Sequence, residues 1–552
     1  MLIEQIDARR GRRFNIALAV TSGLFLGFAF PPSPFYTLAY VGLVPLMVLM
    51  SRIERWGEML RYTYLAMFVF HLVTVYWIGG FTHMRDEYLM LSGVGVLFFH
   101  PLFFWIPLSG AFFVRRRLGE RAYLLTFPVL WVGFEYFHSL GDFSFPWLTL
   151  GNSQAYDLYR IQILELTSVY GLSMIVVVFN VLAYVLVKNL ASRTWTVRSW
   201  PAFRLISILI LIYVLPFVYG AVRLQEIDAF KGKTALRIGV VQPNIDPFEK
   251  WGEGASSAWD AYMKQLALLY TETQKLSVDS LDLVVWPETA VPFYVLMPQN
   301  IPYYNQLKHE VDLTGTPLFT GLPDGAYADS AHASPTAQYV PAIGQYFEGF
   351  NSATLFTPYV GNGPVYHKVK LVPFAERIPY AQYFTFLIKP LKWSVGISGW
   401  GKGTDQIVYD LKTRNGDSTK FSGMICYELI FPDYVREFVR KGAEFLVVIS
   451  NDSWWGNTSG AYQLAAYTRL RAVENRRWIV RCANGGISAI IDPAGRMYDK
   501  TEMYTAVTFT GGIKTLDDRT FYVRYGDMVG SFCLVGFGLT VVAAAIGKRK
   551  RQ

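Results

Sequence analysis

The stretch Leu283-Val284-Val285-Trp286-Pro287-Glu288-Thr289 is an apolar, strand-like run that ends in a carboxylate. Two later stretches place a reactive side chain in the same way: Lys368-Val369-Lys370-Leu371-Val372-Pro373-Phe374-Ala375-Glu376 and Met424-Ile425-Cys426-Tyr427-Glu428. A side chain at the end of a strand can project from the edge of a sheet into a cleft. A carboxylate, an ammonium and a thiol are together the groups that acyl chemistry through a cysteine needs.

Apolar runs of strand length recur through residues 225–526 and predict a layered α/β domain whose sheet is covered on its faces. Helical patterns over 257–276 and 462–478 separate some of these runs. The stretch 323–348 is rich in Ala, Gly, Ser and Pro and is predicted to be a long loop. The predicted strands are 236–241, 283–285, 317–322, 353–357, 423–426, 445–450 and 487–491.

The chain as a whole has the composition of a membrane protein. Hydrophobic residues make up 52% of the 552 residues and charged residues only 17%, against about 25% charged in soluble domains. Apolar segments predict an α-helical membrane bundle of eight spans, seven before the α/β domain and one after it. These spans are about 14–30, 35–51, 62–80, 89–114, 123–138, 163–187, 204–223 and 527–547.

Basic residues fall in every second loop between these spans, which orients the bundle. Both termini are then cytoplasmic, and residues 225–526 face outward, into the periplasm of a two-membrane bacterium. The net charge of +9 therefore indicates cytoplasmic loops rather than a nucleic-acid groove. The basic clusters are Arg9, Arg10, Arg12 and Arg13; Arg52, Arg55 and Arg61; Arg115, Arg116, Arg117 and Arg121; Lys188, Arg193, Arg198 and Arg204; Lys548, Arg549, Lys550 and Arg551.

This orientation predicts three regions in the chain. Residues 1–224 form a bundle of seven spans, residues 225–526 an outward-facing catalytic domain, and residues 527–552 a last span with a basic cytoplasmic tail. The first span has a basic start but no clean cleavage pattern after it, so we expect an uncleaved helix rather than a signal peptide.

Taken one at a time, the reactive residues also allow ordinary structural roles. A free cysteine is commonly buried for packing, and Cys482 and Cys533 fit that role better than Cys426 does. An odd count of three cysteines argues against a disulfide framework. A lone Glu288 or Lys368 is more often a solvated charge, and Lys370 would share the face of a strand with Lys368, so the residues leave that choice open.

The three motifs in this order resemble the Glu-Lys-Cys site of the nitrilase (carbon–nitrogen hydrolase) superfamily. With the flanking spans, nearly the whole chain resembles the apolipoprotein N-acyltransferase family. Departures from the family pattern are small: Ala375 where Gly is usual, Ser453 for Ala and Trp455 for Phe. Further matching stretches are Val241-Gln242-Pro243-Asn244-Ile245, Phe350-Asn351-Ser352-Ala353, Asn451-Asp452-Ser453-Trp454-Trp455-Gly456, Phe145-Pro146-Trp147-Leu148 and Tyr170-Gly171-Leu172-Ser173.

The resemblance implies an αββα sandwich with Cys426 as nucleophile, Glu288 as general base and Lys368 as the cation that stabilises the oxyanion. The cysteine would take an acyl chain from a phospholipid as a thioester and pass it to the N-terminal amine of a diacylated lipoprotein. No metal or other cofactor is implied, and we expect a monomer in the bacterial inner membrane that binds no nucleic acid. The residues expected to support the site or bind substrate are Glu376, Tyr427, Glu428, Asn351, Trp251 and Trp454.

Two other functions remain open on the sequence. A membrane-anchored amidase would use the same three residues with water as the acceptor, although seven spans exceed what an anchor requires. A transporter would need paired ionisable groups at mid-bilayer. The candidates for such groups, Glu135, His71 and His100, are not paired in the sequence, and a packing role is favoured for each.

The predicted orientation can be tested with topology reporters. A reporter fused after about residue 195 should behave as cytoplasmic and one near residue 335 as periplasmic, because Lys- and Arg-rich loops are costly to move across the membrane. A cytoplasmic signal at 335 would contradict both the number of spans and the acyltransferase interpretation.

Overall fold

The computed structural model describes residues 2–80, 87–229, 232–247, 249–251, 258–276, 281–383 and 399–547. The side chains of 2–10, 88, 89 and 251 are not described, so those of Arg9 and Arg10 lie outside the described part. The basic tail from residue 548 onward lies outside it altogether. The helices are α1 Leu2–Phe28, α2 Ala39–Gly42, α3 Val44–Arg52, α4 Trp56–Thr74, α5 Glu87–Phe99, α6 Trp105–Leu118, α7 Glu120–Phe137, α8 Leu164–Ala191, α9 Trp200–Ala229, α10 Ala258–Leu276, α11 Ile301–Thr314, α12 Pro432–Arg440, α13 Ser459–Asn475, α14 Phe521–Tyr525 and α15 Met528–Ile546.

The chain divides into two compact units. The first, helical unit comprises Met1–Gly79, Gly93–Asp228 and Tyr525–Gln552. Among the described residues, four helical segments are long and apolar enough to cross a membrane: Met90–Leu118, Arg160–Ala191, Trp200–Ala229 and Met528–Ile546. Helices α4 and α7 carry charged side chains within them, so the count of eight spans stays a prediction.

The three ionisable groups that the sequence did not pair are bonded inside the helical unit. His71 Nε2 lies 2.6 Å from His100 Nδ1, so these two histidines pair with each other. The Glu135 Oε1 atom accepts hydrogen bonds from the Trp131 indole and the Leu150 main-chain N–H, both at 2.9 Å. Each of the three therefore has a partner that holds it within the packing of the helices.

The second unit comprises Gly80–Ser92 and Ala229–Arg524. Its strands form two sheets, a seven-stranded one in the order β13-β1-β2-β3-β5-β4 with β6 also on β5, and a six-stranded one in the order β12-β11-β10-β9-β8-β7. The strands are β1 Ala235–Gln242, β2 Leu283–Val285, β3 Leu318–Ala328, β4 Gln338–Val340, β5 Gln345–Thr357, β6 Gly361–His367, β7 Tyr409–Lys412, β8 Ser418–Ile425, β9 Phe445–Ser450, β10 Ile479–Ala483, β11 Ala489–Ile491, β12 Met497–Tyr498 and β13 Val507–Lys514.

The two sheets pack face to face at their parallel centres. The run β1-β2-β3 is parallel in one sheet and β8-β9-β10 in the other. The Phe319 ring of β3 contacts Phe421 of β8 with centroids 5.4 Å apart. A Cβ on Gly423 would lie 2.1 Å from the Phe319 ring, so the absence of a side chain there lets the sheets approach. Helices α10 and α11 cover the first sheet through buried side chains such as Leu269 and Val311.

The predicted strands over 283–285 and 445–450 are confirmed at both ends, and every residue of both is buried. The prediction of a long loop over 323–348 is wrong. There β3 continues to Ala328, β4 crosses 338–340, and β5 begins at Gln345. An antiparallel ladder from Leu318↔Phe356 to Ala328↔Tyr346 holds this hairpin. Its outer half is mostly half-buried rather than buried, so main-chain pairing rather than an apolar pattern makes it a strand.

Candidate active site

The three predicted reactive residues each follow directly on a strand of the second unit. Glu288 lies in the loop after β2, Lys368 comes next after the last residue of β6, and Cys426 follows the end of β8. All three are at least nine-tenths buried. Strands of both sheets therefore deliver the carboxylate, the ammonium and the thiol to one enclosed position.

The Glu288 carboxylate is held by donors from three directions. Its Oε1 accepts from Asn351 Nδ2 at 2.7 Å and from Lys368 Nζ at 3.4 Å, and its Oε2 accepts from the Asn451 main-chain N–H at 3.0 Å. The loop lies close over β3, where a Cβ on Gly321 would come within 2.8 Å of the Glu288 Cα. This close approach and the three donors fix the direction of the carboxylate.

Lys368 lies between two carboxylates. Its Nζ donates to Glu376 Oε1 at 2.8 Å and to Glu288, and the side chain is 1% exposed. Burial alone lowers the pKa of this ammonium, but Glu288 and Glu376 outweigh that effect and raise the pKa above its ordinary value. Lys368 therefore stays a cation at neutral pH.

Lys370 is placed differently from Lys368. Its Nζ lies over the Phe431 ring, 4.9 Å from the ring centre. The shared strand face that made the two lysines equivalent in the sequence does not exist, because β6 ends at His367 and both lysines lie beyond it. The ion pairs with Glu288 and Glu376 belong to Lys368.

Cys426 forms a sharp elbow between β8 and a short 3-10 helix, Cys426–Ile430. Its φ of 51° lies in the left-handed region that non-glycine residues rarely adopt. Burial raises the pKa of the thiol, Glu288 raises it further, and the Lys368 cation opposes both. The resting side chain is therefore a neutral thiol, and it becomes a strong nucleophile only when a base takes its proton.

The Glu428 carboxylate is fully buried and connects the lysine loop to the cysteine elbow. Its Oε1 accepts from the main-chain N–H groups of Val369 and Lys370 at 2.7 and 3.1 Å. Its Oε2 accepts from the Ile425 N–H at 2.8 Å and from the Tyr366 hydroxyl at 2.6 Å. Burial raises the pKa of Glu428, while these donors favour the charged form.

The other predicted supporting residues fall into two groups. Asn351 and Glu376 bond directly to the reactive set, and Tyr427 is buried in the elbow beside Cys426. Trp454 is partly buried in the 3-10 helix Asp452–Trp455 that follows β9. Trp251 ends the 3-10 helix Glu249–Trp251, and its side chain lies outside the described residues.

The other two cysteines and His367, which were considered as alternative reactive residues, have different surroundings from Cys426 and Lys368. Cys482 is fully buried, and its Sγ donates to the carbonyl oxygens of Val241 and Val285. Cys533 lies in α15 of the helical unit. His367 is stacked on the Phe350 ring with centroids 4.2 Å apart and bonds to Asp324 at 2.8 Å.

Two features of the site were given no role in the prediction from the sequence. One is the Asn451 N–H that meets Glu288, followed by Asp452, whose carboxylate pairs with the fully buried Arg481 at 2.6 Å. The polar pair Asn451-Asp452 directly after a fully apolar strand was the available signal. The other is Lys250, which bonds to the Glu288 main chain and has no local sequence signal. In the described part of the chain, no cluster of three or more His, Cys, Asp or Glu side chains could hold a metal ion.

Comparison with known proteins gives the class of this domain and then its family. Residues 237–509 match the carbon–nitrogen hydrolase family, so the domain with the buried Glu, Lys and Cys is of that class. Residues 22–182 match the apolipoprotein N-acyltransferase N-terminal domain. The chain belongs to the apolipoprotein N-acyltransferase family, and it is an acyltransferase.

Relatives that align with this chain over nearly their full length support this assignment. An apolipoprotein N-acyltransferase of Chlorobaculum tepidum is 35% identical over 540 residues, which cover 96% of this chain and 97% of the relative. One of Geobacter metallireducens is 30% identical, with 98% and 96% covered. A solved amidase from Nesterenkonia sp. is 17% identical with a TM-score of 0.37, over 54% of this chain and 94% of the amidase, a likeness too low to bear on function.

The change Glu428→Gln tests the link between the lysine loop and the cysteine elbow. A glutamine replaces one acceptor oxygen with an NH₂ group, which would face main-chain N–H donors. We expect acyltransferase activity to fall about 10²-fold through misplacement of the reacting groups. Glu502→Gln, the same change at an exposed position, serves as the control. Full activity in purified Glu428→Gln would contradict this role.

Proposed function

We propose that this chain transfers an acyl chain from a membrane phospholipid, through a thioester on Cys426, to the N-terminal amine of a diacylglyceryl-cysteine lipoprotein. The observation that carries the proposal is the buried set of Glu288, Lys368 and Cys426, in which a base, a cation and a neutral thiol share one electrostatic environment. The names of the full-length relatives support lipoproteins as acceptors.

In the first step Glu288 takes the thiol proton while Cys426 Sγ attacks the ester carbonyl of the phospholipid. The tetrahedral oxyanion that forms is stabilised by the Lys368 cation, a contribution of a few kcal/mol in comparable sites. When the carbon–oxygen bond breaks, Glu288 returns the proton to the leaving glycerol oxygen. The products are the Cys426 thioester and a lysophospholipid.

In the second step a neutral α-amine attacks the thioester. The amine loses a proton to Glu288 as the amide forms, and the cysteine leaves as a thiolate that takes this proton back. An α-amine has an ordinary pKa of about 7.7–8.0, so a useful neutral fraction exists at physiological pH. The same base thus serves both halves of the reaction, and neither half requires a cofactor.

The apolar helices support a lipid donor rather than a soluble one. Four described segments suit a bilayer by length and composition, and both proposed substrates are anchored in a membrane by their acyl chains. We propose that the domain lies on the periplasmic side of the inner membrane, with both termini cytoplasmic, because the basic loops alternate in that sense. Acyl donors confined to the cytoplasm would then be excluded.

Substitution of each cysteine tests the covalent step. Cys426→Ala should abolish both the acyl adduct and amide formation, whereas Cys482→Ala and Cys533→Ala should keep most activity because both lie outside the reactive set. Intact mass after incubation with phospholipid detects the adduct. Appreciable transfer by Cys426→Ala would exclude the thioester mechanism.

Substitution of Lys368 and of Lys370 should have different effects on thioester formation in the same assay. Lys368→Ala removes the cation beside Glu288 and should lower thioester formation about 10²- to 10³-fold, the range for loss of an oxyanion donor. Lys370→Ala should lower thioester formation less, because the Lys370 ammonium lies over the Phe431 ring. The reverse ranking would assign the oxyanion cation to Lys370. Loss of activity in His367→Ala with Lys368→Ala still active would point to a Cys–His pair instead.

A further inference from the structure

Lys250 is a second buried lysine at the site, and the reaction steps above do not use it. Its side chain is 1% exposed. Its Nζ donates to the Glu288 main-chain oxygen at 2.9 Å and to Thr289 Oγ1 at 2.6 Å. These two hydrogen bonds therefore hold the main chain of Glu288, the general base of the proposed reaction.

The partners of Lys250 differ from those of Lys368. Lys368 bonds to two carboxylates, whereas the acceptors of Lys250 among the described residues are a carbonyl and a hydroxyl. When an ammonium is buried against neutral acceptors, it loses its hydration, and ion pairing compensates for little of that cost in free energy. A neutral side chain of similar length would fill this place with less cost, so packing alone does not explain a lysine here.

The contacts of Lys250 tie two segments together. On one side is Thr289, whose φ of 48° is unfavourable and whose hydroxyl donates to the Glu288 oxygen at 2.8 Å. On the other side, the Lys250 main-chain oxygen accepts from Gln265 Nε2 of α10 at 3.0 Å. Trp251, which is expected from the sequence to support the site or bind substrate, is the next residue.

We propose that Lys250 is a positioning residue that fixes the Glu288–Thr289 main chain and couples the segment carrying Trp251 to the general base. The inference rests on the proposed function of Glu288. Lys250 acts through Glu288 and Thr289, not on the substrate itself.

The charge of Lys250 adds a pH dependence to this role. Burial lowers the pKa of Lys250 to about 7, and Glu288 is the charged group among the described residues that opposes the shift. Below that pH Lys250 carries a positive charge that is attracted to the Glu288 carboxylate, and above it the neutral amine still donates its hydrogen bonds. This attraction opposes transfer of the Cys426 proton to Glu288, so the transfer should accelerate as the pH rises through about 7.

A double-mutant cycle tests the positioning contact. Lys250→Met should lower the rate of Cys426 acylation about 10- to 100-fold with little change in the KM for phospholipid, because the base is displaced and the lipid contacts are not. Thr289→Val, which removes one acceptor, should lower the rate in the same way, and Thr289→Ser should recover most of that loss. The double variant should be no slower than Lys250→Met, since both changes break one contact.

The control is Lys264→Met, the same change at an exposed lysine of α10, which should match the wild type. Additive losses in the double variant would overturn the positioning role. So would a KM that rises while kcat is unchanged, or a lower folded fraction in Lys250→Met that accounts for the whole loss of rate.

A second measurement needs no acyl donor and so separates this inference from the proposed function. The rate of Cys426 alkylation by iodoacetamide, read on the Cys426 peptide by mass spectrometry between pH 5.5 and 9, should show a step near pH 7 in the wild type. The step should be absent in Lys250→Met and kept in Lys264→Met. Persistence of the step in Lys250→Met would overturn the inference, whereas a wild type that alkylates as expected but forms no acyl adduct would overturn the proposed function alone.

Discussion

The Glu428 carboxylate is the contact on which the geometry of the reactive set depends. Sheet geometry alone brings β6 and β8 only to the same neighbourhood, because the two strands belong to different sheets. One fully buried carboxylate then accepts from Val369 and Lys370 on one side and from Ile425 on the other. A buried charge of this kind is tolerated only with a full complement of donors. The link is therefore specific as well as strong, since a shift of either loop would leave the carboxylate without its donors.

Within this frame Glu288 and Glu376 flank the Lys368 ammonium. Burial and then Glu288 raise the pKa of the Cys426 thiol, while the Lys368 cation opposes them, so a thiolate is disfavoured. In the proposed reaction the Cys426 nucleophile is therefore released only in concert with proton transfer to Glu288.

The sequence predicted the parts of the domain that local apolar patterns determine. The strands β2 and β9 are wholly buried, so their boundaries follow from hydrophobicity. The hairpin of β3 and β5 was mistaken for a loop because cross-strand hydrogen bonds form its outer half. The three motifs located Glu288 and Cys426, but the choice of Lys368 over Lys370 depends on the distant Glu288 and on where β6 ends. The placement of Lys250 was out of reach for the same reason, since its acceptors come from another segment of the chain.

The pairing of β1 with β13 has a consequence for how the domain is made. These strands pair antiparallel along their whole length, from Ala235↔Lys514 to Gln242↔Val507. The first strand of the domain thus acquires one of its two neighbours only after nearly the entire domain has been synthesised. Such pairing across a long sequence separation is entropically costly and slows folding. Until β13 has been synthesised, that edge of β1 is open to pairing with other chains.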